Sequence, residues 1–372
     1  MKRLSVSALV AVMLFTLVMA VPVAGATTPL TINYGDVALS GGFISGNFPQ
    51  EWDLTACDLT LSFTYDANGL VDDFGGNAHA WAELGVRAVG YGNFNPTWQS
   101  EGAGVWLATD YHWAVNTFDP DPPGAPTLDL DDKLILQKGG GWGEGSYNLP
   151  SAPPNPGANH RVWFDRDGVD PWQALNPLSV DGGTYNTGGT YDIVITLHST
   201  DATSGTAYMT INGLNQGFET DGNWNTMELS PAGMTFTGDM EHMQVFYGLF
   251  GYGATHSVAL QQITVTGCLY EIPVTVNVDP DTLNLKSKGN WITAYITLPE
   301  GYSVDDIDLV SVKLGDIAAS WGEVQGTVLM VKFDRQVVAN TLSPGSVTLT
   351  ITGELTNGQP FSGSDTMRVM SK

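Results

Sequence analysis

The chain has 372 residues, of which 39 are acidic and 14 basic, and its formal net charge is −25. This balance excludes a nucleic-acid-binding surface of the usual kind, because phosphate recognition needs clustered Lys and Arg. Charged residues are only 14% of the chain, while 44 glycines and 20 prolines interrupt it, which excludes a coiled coil and favours a turn-rich, all-β protein.

Residues 1–26 are predicted to be an export signal that is not part of the fold. Lys2 and Arg3 precede an apolar run from Leu9 to Val23, and Ala24-Gly25-Ala26 then supplies small residues for cleavage. An uncleaved membrane anchor is the alternative, but the run is short and ends in a cleavage site. We therefore expect a secreted, extracellular or cell-surface protein that has no membrane contact once the signal is removed.

The negative charge is concentrated in the N-terminal part of the chain. Residues 27–270 hold 27 acidic and five basic side chains, a net charge of −22, whereas residues 271–372 sum to −5. One interpretation of this acidic surface is that it keeps the protein soluble and does nothing else. The more specific interpretation is that it binds calcium.

The chain contains two cysteines, Cys57 and Cys268. Since disulfides form and persist outside the reducing cytosol, pairing is the default for an exported protein. Two buried free thiols are the alternative.

Alternation of apolar and polar residues predicts strands through most of the first part. The predicted strands are Cys57–Tyr65, Ala78–Val89, Gly104–Tyr111, Lys133–Lys138, Arg161–Phe164, Tyr191–His198, Ala207–Ile211, Met243–Leu249 and Val258–Gly267. Ser204-Gly205 is predicted to form the turn before Ala207, and no helical stripe follows the signal.

The composition changes near Cys268, after which Val, Leu and Lys increase and aromatic residues decrease. Strands are predicted at Val274–Val278, Thr282–Leu285, Trp291–Leu298, Val328–Asp334 and Ser346–Thr352. In the third of these, Ile292, Ala294, Ile296 and Leu298 are expected to face inward. We therefore predict a large domain at 27–269 and an Ig-like β-sandwich at 270–372.

The stretch GGTYDIVITLHSTDATSGTAYMTINGLNQGF resembles concanavalin A-like lectin/glucanase domains of the laminin-G type, which show a Gly-x-Tyr entry, an apolar strand and a short Gly turn. The segment VALQQITVTGC resembles the closing strand of that family, which lies beside the opening strand. The resemblance implies that residues 27–269 form a large jelly-roll sandwich.

The C-terminal segment VNVDPDTLNLKSKGNWITAYITLPEG resembles a β-sandwich module appended to secreted and cell-surface proteins of archaea and bacteria. That family often carries an Asp-rich insertion before the strand matching VLMVKFDR. Here the corresponding segment is IAASWGEVQGT, with Asp316 and Glu323 as the acids nearby. The resemblance implies no biochemical activity.

The segment FDRDGVDP is the most site-like short motif. Asp165, Asp167 and Asp170 surround a Gly turn, and closely spaced carboxylates on a tight loop suit Ca²⁺, which takes six to eight oxygen ligands. It departs from an EF-hand, because the twelfth-position Glu is absent. A turn whose Asp side chains cap backbone N–H groups is the alternative.

Several tryptophans lie among Gly, Asn and Pro, where a ring can stay exposed and stack on a sugar. These are Trp98, Trp142, Trp172 and Trp224, with Asn223 and Asn225 beside the last. The alternative is that each ring covers a loop against the sandwich.

A glycosidase would need two carboxyl groups about 5–9 Å apart. Glu83 and Glu241 are the glutamates inside strand-like runs, and they could face each other across one sheet. Two ordinary exposed strand residues are the alternative. We rank the functions as secreted glycan recognition, then a structural cell-surface or matrix protein, then a glycoside hydrolase.

Overall fold

The computed structural model describes residues 29–40, 42–66, 80–88, 104–109, 134–138, 190–211, 213–215, 218–219, 229–230, 233–251 and 257–371. The chain divides between Cys268 and Leu269 into two compact units, called here the N-terminal and the C-terminal unit. Most described residues lie in β-strands, which confirms the all-β prediction. No helix among the described residues is long and apolar enough to cross a membrane.

The N-terminal unit contains 14 described strands. They are β1 (Leu30–Ser40), β2 (Gly42–Trp52), β3 (Leu59–Asp66), β4 (Ala80–Ala88), β5 (Gly104–Thr109), β6 (Leu134–Lys138), β7 (Thr190–Asp201), β8 (Ser204–Ile211), β9 (Leu214–Asn215), β10 (Phe218–Glu219), β11 (Leu229–Ser230), β12 (Met234–Thr237), β13 (Met243–Gly251) and β14 (Ser257–Gly267).

Two antiparallel sheets dominate the described part of this unit. A seven-stranded sheet has the order β1-β14-β3-β7-β8-β12, with β9 paired to β8, and a five-stranded sheet has the order β2-β13-β4-β5-β6. β14 lies between β1 and β3, so the closing strand does pair with the opening strand, as expected from the resemblance. This pairing joins segments more than 200 residues apart.

The core lies between the two sheets. In β7 the side chains of Tyr191, Ile193, Ile195 and Leu197 are buried, in keeping with the predicted alternation. Across the sandwich, Tyr34 of β1 stacks on Phe48 of β2 with ring centroids 4.0 Å apart. Tyr34 Oη also donates to Gln50 Oε1 over 2.7 Å. Burial raises the pKa of Tyr34 above its usual value, so this phenol remains a hydrogen-bond donor.

Cys57 and Cys268 are joined by a disulfide, with their Cα atoms 5.7 Å apart. Cys57 precedes β3 and Cys268 directly follows β14, and these two strands pair with each other. The Cys268 carbonyl also accepts from Asp53 N over 2.8 Å. The bridge therefore fixes one end of a strand pair that is remote in sequence.

The predicted Ser204-Gly205 turn is wrong, because both residues lie in β8. The turn is formed by the two preceding residues, and the Asp201 carboxylate accepts from Thr203 N over 2.7 Å. The Thr203 hydroxyl donates to the same carboxylate, and the hydrogen bonds from the Thr203 N–H and hydroxyl lower the pKa of Asp201. A glycine is needed at 205 for packing instead, since a Cβ there would lie 2.7 Å from the Phe236 ring.

The C-terminal unit adds ten strands and one α-helix. The strands are β15 (Ile272–Pro273), β16 (Thr275–Asp279), β17 (Thr282–Asn284), β18 (Trp291–Thr297), β19 (Ile307–Leu314), β20 (Ile317–Ala318), β21 (Trp321–Gln325), β22 (Val328–Asp334), β23 (Gly345–Leu355) and β24 (Pro360–Met370), and the helix is α1 (Arg335–Thr341). The sequence did not indicate α1, which the Asp334 carboxylate caps by accepting from Gln336 N and Val337 N.

Two sheets enclose the core of the C-terminal unit. One has the order β15-β24-β23-β19-β20, with β17 paired to β24, and the other has the order β16-β18-β22-β21. Ile292, Ala294 and Ile296 are fully buried and Leu298 is 9% exposed, as predicted for the inward face of this strand. They pack with Phe333 and Phe361 in one cluster, so the unit has a core of its own.

Candidate functional site

All nine residues predicted for ligand or metal binding lie outside the described residues. These are Trp98, Trp142, Trp172, Asn223, Trp224, Asn225, Asp165, Asp167 and Asp170. Within the described part of the chain, no three His, Cys, Asp or Glu side chains come close enough together to hold a metal ion.

The expectation that Glu83 and Glu241 face each other is wrong. Glu241 is exposed in the turn before β13, where its N–H donates to Asp239 Oδ1 over 3.2 Å. Glu83 is in register with Gly248, seven residues further along the chain than Glu241. At about 3.3 Å per strand residue the two backbones are roughly 20 Å apart. This is too far for a pair of catalytic carboxyl groups.

The candidate site of the N-terminal unit is on the side of the five-stranded sheet that is turned away from the core. This side is called here the outer face. Because Ala82, Leu84 and Val86 are buried in the core, strand alternation assigns positions 83, 85 and 87 to the outer face. Position 83 is therefore on the outer face and remote from position 241.

One row of registered residues crosses all five strands on the outer face. In strand order β2-β13-β4-β5-β6 it consists of Asn47, Phe246, Gly85, Trp106 and Gln137. The row has an amide at each end, an aromatic residue next to each amide, and a glycine between the aromatic residues. Amide and aromatic residues are types that recognise sugars, the amides by hydrogen bonding to hydroxyl groups and the rings by stacking, and the ring of Phe246 is buried here.

Arg87 links part of this row. Its Nη2 donates to Asn47 Oδ1 over 2.7 Å, and its guanidinium carbon lies 4.7 Å from the centroid of the Phe246 ring. Arg87 is 4% exposed and Phe246 is 1% exposed, so both are buried although strand alternation assigns them to the outer face. The hydrogen bond orients the Asn47 amide, and the cation–π contact holds the guanidinium plane.

Further polar side chains lie where β13 begins. Gln244 is in register with both Glu51 and Arg87, and its Nε2 donates to the Phe48 carbonyl over 2.9 Å. The Nδ1 atom of His242 lies 3.3 Å from Glu51 Oε2. Amide, carboxylate and imidazole groups therefore border the row at this end of the sheet.

The same end of the sheet is where several strands connect to the predicted ligand-binding segments. Ala88 is in register with Met243, and Gly104 and Lys138 lie at the adjoining ends of β5 and β6. The segment containing Trp98 joins Ala88 to Gly104, and the segment containing Trp142 follows Lys138. The described strand ends Ala88, Gly104 and Lys138 therefore lie at the same end of the sheet as Arg87.

Sequence reasoning missed Arg87, Asn47 and Phe246 as site residues. Arg87 did carry a signal, since it is one of only five basic residues in 27–270 and lies in an alternating strand. Asn47 and Phe246 carried none, because their partnership depends on the pairing of β2 with β13.

No protein-family model matches the chain, and no curated protein matches it. Similar solved structures include the metal-free carbohydrate recognition domain of Emp46p, 9% identical with a TM-score of 0.35, covering 64% of this chain and 87% of that one. Winged bean acidic lectin complexed with methyl-α-D-galactose is 11% identical with a TM-score of 0.30, covering 70% and 87%. The alginate lyase Aly36B is 12% identical with a TM-score of 0.26, covering 64% and 73%.

Proposed function

We propose that the N-terminal unit is a secreted carbohydrate-recognition domain that binds neutral glycans on the outer face of its five-stranded sheet. The row Asn47, Phe246, Gly85, Trp106 and Gln137 is the observation that carries this proposal. The row alternates amide and aromatic residues, which are the residue types that bind and stack on sugars.

Charge supports a neutral ligand over an anionic one. Residues 27–270 carry a net charge of −22, which repels polyanions. Arg87 is held by Asn47 and Phe246, so it serves to orient the amide rather than to attract an anion.

The expected affinity is weak. Stacking of an aromatic side chain on a nucleobase contributes about 1–3 kcal/mol, and a sugar ring is expected to contribute the same or less. A few such contacts only partly offset the cost of association, which gives dissociation constants of roughly micromolar to millimolar.

The proposal includes three features of the chain beyond this face. Residues 1–26 direct export. The Asp165, Asp167 and Asp170 segment binds Ca²⁺ as a structural ion. The C-terminal unit is an Ig-like accessory module. The net negative charge of the chain excludes nucleic acid as a partner.

The test measures retention of the full-length protein in native gels containing neutral or anionic polysaccharides. Trp106→Ala and Gln137→Ala are expected to reduce retention by about 5-fold or more, a loss of about 1 kcal/mol. Trp98→Ala and Trp142→Ala test whether the adjoining segments contribute to binding. Glu83→Gln serves as a control on the same face.

Each outcome distinguishes one function. Retention by neutral polysaccharides that falls in Trp106→Ala and persists in Glu83→Gln supports glycan recognition. Release of reducing ends that stops in Glu83→Gln would show a glycoside hydrolase instead. Failure of the protein to bind any glycan in the set would leave a structural cell-surface or matrix role.

A further inference from the structure

We propose that the C-terminal unit has a saccharide-binding surface of its own, on the outward side of its four-stranded sheet. This surface, called here the tryptophan face, is centred on Trp291 of β18 and Trp321 of β21. It goes beyond the function proposed above, because it lies in the other unit and uses none of the same residues.

Strand alternation puts both rings on the same side of the sheet. Ile292 and Ala294 point into the core, so Trp291 and Thr293 face outward. Thr293 is in register with Lys332, and Lys332 with Trp321. The two tryptophans are thus two strands and two residues apart, which corresponds to about 12 Å between their Cα atoms.

Both indoles are unusually exposed for this unit. Trp291 is 45% exposed and Trp321 is 43% exposed, whereas Phe333 and Phe361 are fully buried. The rings are carried by paired strands, so they are held on a rigid support rather than on a loop. Lys332 Nζ lies 4.9 Å from the centroid of the Trp321 ring, which restricts the orientation of that indole.

The residues that lie directly between the two rings are polar. Lys332 and Thr293 lie between the two tryptophans, and the exposed carboxylates of Asp279 and Glu323 lie at opposite sides of the face. Tyr295 and Met330, in the next row of the same face, are only partly exposed, so the two exposed rings are separated by Thr293 and Lys332, whereas the core of a protein interface is a contiguous apolar region.

Separate exposed rings bordered by charged acceptors and a donor match the chemistry of a carbohydrate. The ring faces stack on the C–H surface of a sugar, and the carboxylates and the ammonium group bind its hydroxyl groups. Asp279, Glu323 and Asp334 outnumber Lys332 on this face, so it disfavours polyanions. The occupant that fits is an uncharged saccharide chain long enough to reach both rings.

The test uses the full-length protein and measures depletion from solution by cellulose and by chitin, and retention in gels containing a neutral β-glucan or alginate. Trp291→Ala and Trp321→Ala are each expected to weaken binding to at least one neutral polysaccharide by about 5-fold or more. Trp291→Phe and Trp321→Phe should keep most of the binding, because a phenyl ring still stacks.

Val310→Ala is the matched control. Val310 is 85% exposed and lies in β19 of the other sheet of this unit, so it removes an exposed apolar side chain away from the tryptophan face. Its binding should equal that of the unchanged protein. Melting temperatures should stay within about 3 °C for every variant, since exposed substitutions have small effects on stability.

Three results would overturn the inference. These are no binding of the unchanged protein to any neutral polysaccharide, unchanged binding by the Trp291→Ala/Trp321→Ala double variant, or a change in oligomeric mass in that variant, which would identify a protein interface. Loss of binding in this double variant but not in Trp106→Ala would support the tryptophan face and reject the site on the outer face.

Discussion

The disulfide between Cys57 and Cys268 connects the turn before β3 to the end of β14, across 211 residues of sequence. A cross-link of this span restricts the unfolded chain strongly, and the chain-entropy model gives a contribution of up to about 5 kcal/mol. Its main structural role is to hold the closing strand β14 against β3.

We predict that the Cys57→Ser/Cys268→Ser double variant will lose about 2–5 kcal/mol of unfolding free energy, measured by guanidinium titration. Thiol titration of the unreduced, unfolded protein should detect no free thiol. Two titratable thiols in that material would contradict the bridge and weaken the case for an exported protein.

The Arg87–Asn47 hydrogen bond orients the Asn47 amide on the outer face, and we predict that it also contributes to the free energy of unfolding. Arg87→Lys keeps the charge but loses the planar donor group, and should lower the unfolding free energy by about 1–3 kcal/mol. Asn47→Ala is the partner variant. A double-mutant cycle should give a coupling energy of about 0.5 kcal/mol or more. Strictly additive effects would show that the contact is not formed in solution.

Gly363 is predicted to be irreplaceable in the C-terminal unit. It lies in β24, and an added Cβ would clash with the Val274 carbonyl oxygen and lie 2.7 Å from Val276 Cγ2. Gly363→Ala should therefore cost about 1–3 kcal/mol through overpacking. Ser362→Ala, one position earlier in the same strand, is the control. A loss no larger than in the control would mean that β24 and Val274 are not packed in this way.

Glu354 is predicted to make the C-terminal unit less stable at neutral pH. Burial, together with the nearby Asp308 carboxylate, raises the pKa of the Glu354 carboxyl above its usual value. The protonated form is thus favoured in the fold, and its stabilising contribution is present below the unfolded pKa of about 4.3 and is lost as pH rises through the folded pKa.

Glu354→Gln should consequently raise the midpoint of urea unfolding at pH 7 and reduce its dependence on pH between about 4 and 7. Glu300→Gln removes an exposed carboxyl in the same unit and is the control. A decrease in the midpoint at pH 7 in Glu354→Gln alone would show that the ionised carboxylate stabilises the fold.

Calcium binding by the Asp165, Asp167 and Asp170 segment predicts a ligand-dependent stability. An ion that binds only the folded state raises the melting temperature by mass action. Millimolar Ca²⁺ should therefore raise it, and Asp167→Ala should abolish most of the increase. An equal response to Mg²⁺, or no response to either ion, would favour a turn capped by its own Asp side chains.

Several features could be predicted from local sequence because they depend on alternation within one strand. The burial of Tyr191, Ile193, Ile195 and Leu197 in β7 followed from apolar residues at every second position. The inward face of Trp291–Thr297 was predictable for the same reason. A side-chain period of two is a local property of an extended chain, so it does not require knowledge of the partner strand.

The candidate sites depended on strand pairing, which a single segment does not encode. The placement of Asn47, Phe246, Gly85 and Trp106 in one row comes from the neighbours of β2, β13, β4 and β5 in the five-stranded sheet. The same pairing separates Glu83 from Glu241, although both looked suitable in isolation. Composition and alternation determined that this is an all-β chain with inward and outward positions. Only the tertiary structure decided which outward residues lie side by side, because register between distant strands is set by the packing of the whole sandwich.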